Sequence, residues 1–166
     1  MVMFPRSPIG RVIVGVCGSP GSLHALRQGV ALARAFECPL VPVLAWEPPG
    51  GDVHAHQVQS PELDREWTSI AQKRLCAAFE EGLGGLPSDV CCEPRIVRGP
   101  TGQVLVAVAD QPDDLLVIGT GRRGLIHRVL HARIAEHCVA HAVCEVLAVP
   151  PPPLAGTPTR LGHLTV

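Results

Sequence analysis

The period of the apolar positions changes repeatedly along this chain. Residues 11–16 are a short β-branched run of the kind that forms a buried strand, and the following segment switches to a spacing of three and four. Ser19-Pro20 opens that segment with the residue types of a helix start, and Leu23, Leu26, Val30 and Ala33 fall on one face of the helix. Residues 39–46 read as a second strand, in which Pro42 removes a ladder donor and points to an edge or bulged position. Residues 47–60, with Pro48, Pro49, Gly50, Gly51, His54 and His56, read as a loop. Ser60-Pro61-Glu62 then starts a second helix with Leu63, Trp67, Ala71, Leu75 and Ala78 on one face, ended by Gly82, Gly84 and Gly85.

The same reading places a third strand within residues 90–97, a third helix within 101–109, a fourth strand at 115–118, a fourth helix across 129–140 and a fifth strand at 146–149. Strict strand–helix alternation of this kind predicts an α/β fold: a mostly parallel, doubly wound sheet of five strands with helices on both faces. Parallel strands need crossovers, and right-handed crossovers pack back onto the sheet. Residues 9–150 form the expected domain. Four consecutive prolines, Pro150 to Pro153, open a tail over 151–166 that reads as extended or disordered.

Composition narrows the function classes. With 166 residues and 46% hydrophobic content the chain can bury one core, and 14 basic against 15 acidic residues leave no field suited to nucleic acid or to a membrane surface. Any anion site must be local. No apolar run approaches the roughly 20 residues of a membrane span, and Met1 to Arg6 lack a signal-peptide core, so a cytoplasmic protein is expected. Aromatics make up 3%, with no tyrosine, which argues against a base-stacking surface for single strands. The seven cysteines are odd in number and lack CxxC spacing, which points to reduced, mostly buried thiols.

Candidate chemistry concentrates in one stretch. Asp113-Asp114-Leu115-Leu116-Val117-Ile118 runs into Gly119-Thr120-Gly121-Arg122-Arg123-Gly124. An apolar strand emptying into a glycine and arginine turn is a way to build an anion site, because backbone N–H groups and a helix N-terminus converge there. Arg122, Arg123, Arg133 and Arg98 are the cations that could reach it, and guanidinium forks bind phosphate strongly. Gly119-x-Gly121-x-x-Gly124 also matches the dinucleotide fingerprint. That fingerprint belongs in the first strand–helix turn with an acidic residue closing the next strand, whereas Glu145 opens its strand.

Other groups have plainer readings. His127 with His131, and His137 with His141, stand at i and i+4 without a third ligand at metal-binding spacing, which favours structural or surface histidines and no metal site. Cys17, before a helix start, reads as a small residue filling a tight turn or, in a second reading, as a thiol sensor or partner-docking site. Cys91 and Cys92 are neighbours on the third strand and point to opposite faces. Asp113 and Asp114 read as a solvated strand entry. No G-x-S-x-G and no Walker lysine occur, so the chain is expected not to be an enzyme.

Val14-Gly15-Val16-Cys17-Gly18-Ser19, Leu116-Val117-Ile118-Gly119-Thr120 and Val146-Leu147-Ala148-Val149, in this element order, resemble the universal stress protein family over about residues 9–150. The resemblance implies strand order 3-2-1-4-5, a stress-response or regulatory role, and a homodimer, here through the edge strand at 146–149. It also implies ATP binding in one branch of the family, with no metal beyond the Mg2+ that accompanies ATP. The ATP-binding branch carries G-x-x-G, nine residues, then G-[S/T] after the fourth strand, and an aspartate after the first. Here Gly119 keeps the first glycine, while Arg122, Ala132 and Arg133 occupy the other three positions and Cys17 that of the aspartate. The nucleotide-site residues implied by family position are Gly15, Val16, Cys17, Ala45, Ile118, Gly119, Gly121, Arg122, Ala132 and Arg133. Adenine would lie against the apolar strand ends, with phosphates near the arginines.

Overall fold

The computed structural model describes residues 9–48, 60–121 and 125–151. These form β1 (Arg11–Gly15), α1 (Pro20–Phe36), β2 (Leu40–Trp46), α2 (Pro61–Leu83), β3 (Arg95–Arg98), α3 (Thr101–Val108), β4 (Asp114–Gly119), α4 (Leu125–His141) and β5 (Glu145–Val149). The five strands pair in the order β3-β2-β1-β4-β5, every pair parallel. Order reverses between β1 and β4, and in open α/β sheets ligands gather at the carboxyl ends of the strands beside such a switch point.

Alternate residues of each strand supply two apolar layers. Val12, Val14, Leu40, Leu44, Leu115 and Val117 face Leu23, Leu26, Val30 and Ala33 of α1 and Ala71, Leu75, Ala78 and Phe79 of α2. Ile13, Val41, Val43, Leu116 and Ile118 face Val104, Leu105 and Val108 of α3 and Cys138 of α4. The stripe expected for α1 is buried throughout. On α2 the expected stripe fades toward its start, where Leu63 is 43% exposed, and the helix runs through Gly82 to stop at Gly84, whose φ of 74° makes the left-handed C-cap that glycine permits. Among the described residues no helix is long and apolar enough to cross a membrane.

Three expectations are corrected. Pro42 lies on an inner strand, between β1 and β3, not at an edge. Val12 and Val16 donate to the Pro39 and Val43 carbonyls, whereas Leu40 donates to Cys91 O and accepts from Glu93 N–H, so even-numbered residues of β2 address β3. Pro42 therefore lacks its N–H between the isolated Leu40–Cys92 bridge and the ladder that begins at Val43–Arg95, where pairing is interrupted without a change of register. That ladder is the second correction: β3 sits at Arg95–Arg98, and Cys91 and Cys92 precede it.

The third concerns Asp114, which is 1% exposed rather than solvated. Arg11 stands opposite it across the β1–β4 ladder and grips both carboxylate oxygens, Nε to Oδ1 at 2.8 Å and Nη2 to Oδ2 at 2.6 Å. The Gln111 amide donates to Asp114 at 3.1 Å, and Arg11 also reaches Asp110 at 2.8 Å. A buried charge persists where a fork-shaped cation and a backbone donor satisfy it. The hydrogen bonds that Arg11 donates to Asp114, and those to Asp110 to a lesser extent, push its guanidinium above its ordinary range.

Burial, with smaller contributions from Cys91 and Glu93 at Cys92 and from Cys144 at Cys138, pushes the thiols of Cys92 and Cys138 up to about 11. A thiol held protonated in the fold contributes stability that is complete below the free-thiol range, about 8.5, and declines as pH rises from there toward 11, because the unfolded chain releases the proton first. The chain has no tyrosine and a single lysine, Lys73, so thiols dominate this alkaline limb. Urea midpoints are expected to fall between pH 8 and pH 10.5, and Cys138→Ala is expected to flatten the fall. An unchanged slope in that variant would remove Cys138 from the account.

Candidate functional site

At the carboxyl end of β1 the chain makes a tight turn into α1. Gly18, with φ of 80°, takes the left-handed conformation that side chains disfavour. Ser19 caps α1, its Oγ accepting from the Ser22 amide at 3.2 Å, and Pro20 follows at the first helical position, where a missing N–H costs nothing. Ser22 Oγ accepts from the Cys17 amide at 3.2 Å and donates to the Ser19 carbonyl at 3.0 Å. The half-buried Cys17 thiol donates to Ser19 Oγ at 3.2 Å. No acidic residue occupies the first turn of α1, so its positive dipole end has no local counter-charge.

The bend after β4 meets this turn backbone to backbone. A Cβ on Gly119 would overlap the Gly21 carbonyl and stand 2.9 Å from the Ser22 nitrogen. A Cβ on Gly21 would lie 3.4 Å from the Gly121 Cα. At 119 only a residue without a side chain allows this approach, whereas the spacing at Gly21 is ordinary van der Waals contact. Thr120 then fastens the bend to the end of β5, its amide donating to the Val149 carbonyl at 2.8 Å and its hydroxyl to the same oxygen at 3.2 Å.

Among the implied site residues, Gly15, Val16 and Cys17 thus lead from β1 into the turn whose Gly21 and Ser22 meet the bend at Gly119 and Gly121. Gly15 faces the α3 layer, where a Cβ would stand 3.0 Å from Leu105 Cδ1 and 3.7 Å from Ile118 Cγ2. Ile118 is buried in that layer, and Ala45, half-buried next to the end of β2, packs against it. Arg122 and Arg123 lie outside the described residues. Ala132 and Arg133 are exposed positions on α4. Arg98 lies over the Trp46 ring at 5.6 Å from its centroid and 3.1 Å from Asp64.

Sequence reasoning did not find Arg74. It comes from the middle of α2 and donates to the Cys17 carbonyl at 3.2 Å, a contact across 57 positions that no local pattern announces. Ser19 was legible as a helix start, but its bond to the Cys17 thiol was not. Of the two i, i+4 histidine pairs, His137 and His141 engage each other, with rings stacked at 4.3 Å and His141 Nδ1 bonded to the His137 carbonyl at 2.9 Å, and the side chains of His127 and His131 lie outside the described part. Among the described residues no group of three or more His, Cys, Asp or Glu is arranged to hold a metal ion.

A switch point with two glycine bends in contact is common to many α/β folds, so family membership needs evidence from the whole chain. A model of the Universal stress protein family matches residues 8–150. The chain belongs to that family. Solved universal stress proteins share its fold. The universal stress protein UspA from Lactobacillus plantarum superposes with a TM-score of 0.62 at 18% identity, over 87% of this chain and 99% of that one. A universal stress protein in complex with cAMP gives 0.55 at 25% identity, over 88% and 100% of the two chains. The universal stress protein from Archaeoglobus fulgidus in complex with dAMP gives 0.55 at 15% identity, over 86% and 99%. A search of curated proteins finds no match.

Proposed function

We propose that this universal stress protein is a regulatory, non-enzymatic domain that binds an adenine nucleotide between the β1–α1 turn and the β4–α4 bend. The observation that carries the reading is the backbone contact of Gly119 with Gly21 and Ser22, which brings two glycine bends and a helix N-terminus together at the switch point of the sheet. The related structure with cAMP, at 25% identity over nearly the whole chain, supports an adenine nucleotide as the ligand class. In this reading Gly15, Ala45 and Ile118 give the apolar floor for the base, and Cys17, Gly119 and Gly121 border the phosphates. Cys17 in place of a carboxylate removes a negative charge from the mouth, which favours a phosphate close to the turn.

We further propose that β5 pairs with a second copy. It is an edge strand with Leu147 39% exposed, and Val143 just before it is 62% exposed, a combination that soluble proteins usually cover. Calorimetric titration with ATP, ADP and cAMP tests the ligand reading. Binding is expected for at least one of them, with a rise in melting temperature, because a ligand of the native state must raise apparent stability, by about 2.7 kcal/mol at a hundredfold excess over Kd. No heat and no thermal shift at millimolar nucleotide would dispose of it.

A further inference from the structure

We propose that Arg74 of α2 is the phosphate-binding cation of this site, supplied from outside the β4–α4 loop. The inference rests on the nucleotide reading above and assigns its anionic end to a residue fifty-seven positions from the turn it serves.

Three observations converge on Arg74. The first is placement. Its bond to the Cys17 carbonyl pins the guanidinium over the β1–α1 turn from the β2 side, while Gly119 and Gly121 flank the same turn from the β4 side. Ala71, Leu75 and Ala78 are buried in the core on either side of it, so the register of α2 fixes where the side chain starts.

The second is its partners. Arg11 is paired with Asp114 and Asp110, Arg34 with Asp89 and Arg98 with Asp64, while Arg27 donates to the carbonyls of Gly82 and Glu81 at the end of α2. Arg74 donates to one neutral carbonyl. The positions three and four away on its own helix are Ile70, Ala71, Ala77 and Ala78, none of them acidic. A guanidinium held this way has spent one N–H of a planar fork that carries several more, and among the described residues no carboxylate is paired with it.

The third is the residue at the turn itself: Cys17, whose carbonyl Arg74 holds, brings no carboxylate to compete with a ligand. An aspartate at 17 would compete for Arg74. Cysteine leaves the cation available to a ligand oxygen, and a nucleoside phosphate seated on the turn completes the fork.

Calorimetry on the full chain with ADP and with adenosine tests the assignment. Arg74→Gln is expected to weaken ADP about tenfold or more, the loss of one charge-assisted hydrogen bond, and to leave adenosine unchanged, while Arg74→Lys recovers part of the ADP affinity. Melting temperatures equal to wild type are expected, since Arg74 is exposed. ADP binding undiminished in Arg74→Gln, or lost equally for adenosine, overturns the assignment. A wild-type chain that binds neither compound fails earlier, at the nucleotide reading itself.

Discussion

Gly119→Ala loses about 2–3 kcal/mol of stability and nucleotide affinity together. The added Cβ meets the Gly21 carbonyl and the Ser22 nitrogen, and both are backbone atoms inside a capped first turn that cannot swing aside. Relief requires α1 to move off the sheet, which opens the interface of Leu23 and Leu26 with β1 and β4. Moving α1 also separates the two bends that form the mouth. Urea unfolding gives the first quantity and titration with ADP the second. Thr120→Val is the control: it removes one hydroxyl bond to Val149 but adds nothing against α1, so its cost is about 1 kcal/mol. A Gly119→Ala protein as stable as wild type, with unchanged affinity, means the bends are not held in contact.

Asp114→Ala is the second large effect, about 3–5 kcal/mol. It removes the carboxylate that holds Arg11, leaves the guanidinium with only Asp110 and a long 3.4 Å bond to the Val108 carbonyl, and strands the Gln111 amide. The lower part of the range is expected, because Arg11 is 24% exposed and water reaches part of it. Against a total stability of about 5–15 kcal/mol for a domain of this kind, the variant sits near its unfolding threshold. Replacing both partners by apolar residues of similar volume, Arg11→Met with Asp114→Leu, is expected to restore much of the loss, since it is the unpaired charge that is costly. Chemical denaturation of the two variants decides it. An Asp114→Ala protein within about 1 kcal/mol of wild type would show that Arg11 is hydrated rather than neutralised by Asp114.

The parts of the fold that sequence revealed are those governed by short-range periodicity. The β-branched run at β1 and the stripe of α1 carry period and cap in the same few residues, and both elements stand where the pattern placed them. β3 was displaced because Cys91 and Cys92 look like strand residues in isolation, whereas the ladder to β2 is broken opposite Pro42 and resumes only at Arg95. Asp114 was misjudged for a similar reason. A carboxylate at a strand entry is solvated unless its cross-strand partner is a cation, and Arg11 lies 103 positions earlier.

The site divides along the same line. The glycine bend at 119–121 and the turn at 15–19 are local features and were both legible, while their contact through Gly21 depends on how α1 seats on β4. Arg74 had no signal at all in its own neighbourhood, because an arginine on an exposed helical position is ordinary until the fold shows which carbonyl it reaches.

Amide chemical-shift mapping of the isotope-labelled chain during an ADP titration reads both bends at once. Saturable shifts are expected at residues 15–22 and 119–121, with the Arg74 Nε–H signal moving at the same midpoint. Saturable shifts confined to another surface, or none at these residues at millimolar ADP, would contradict a nucleotide site between the two bends.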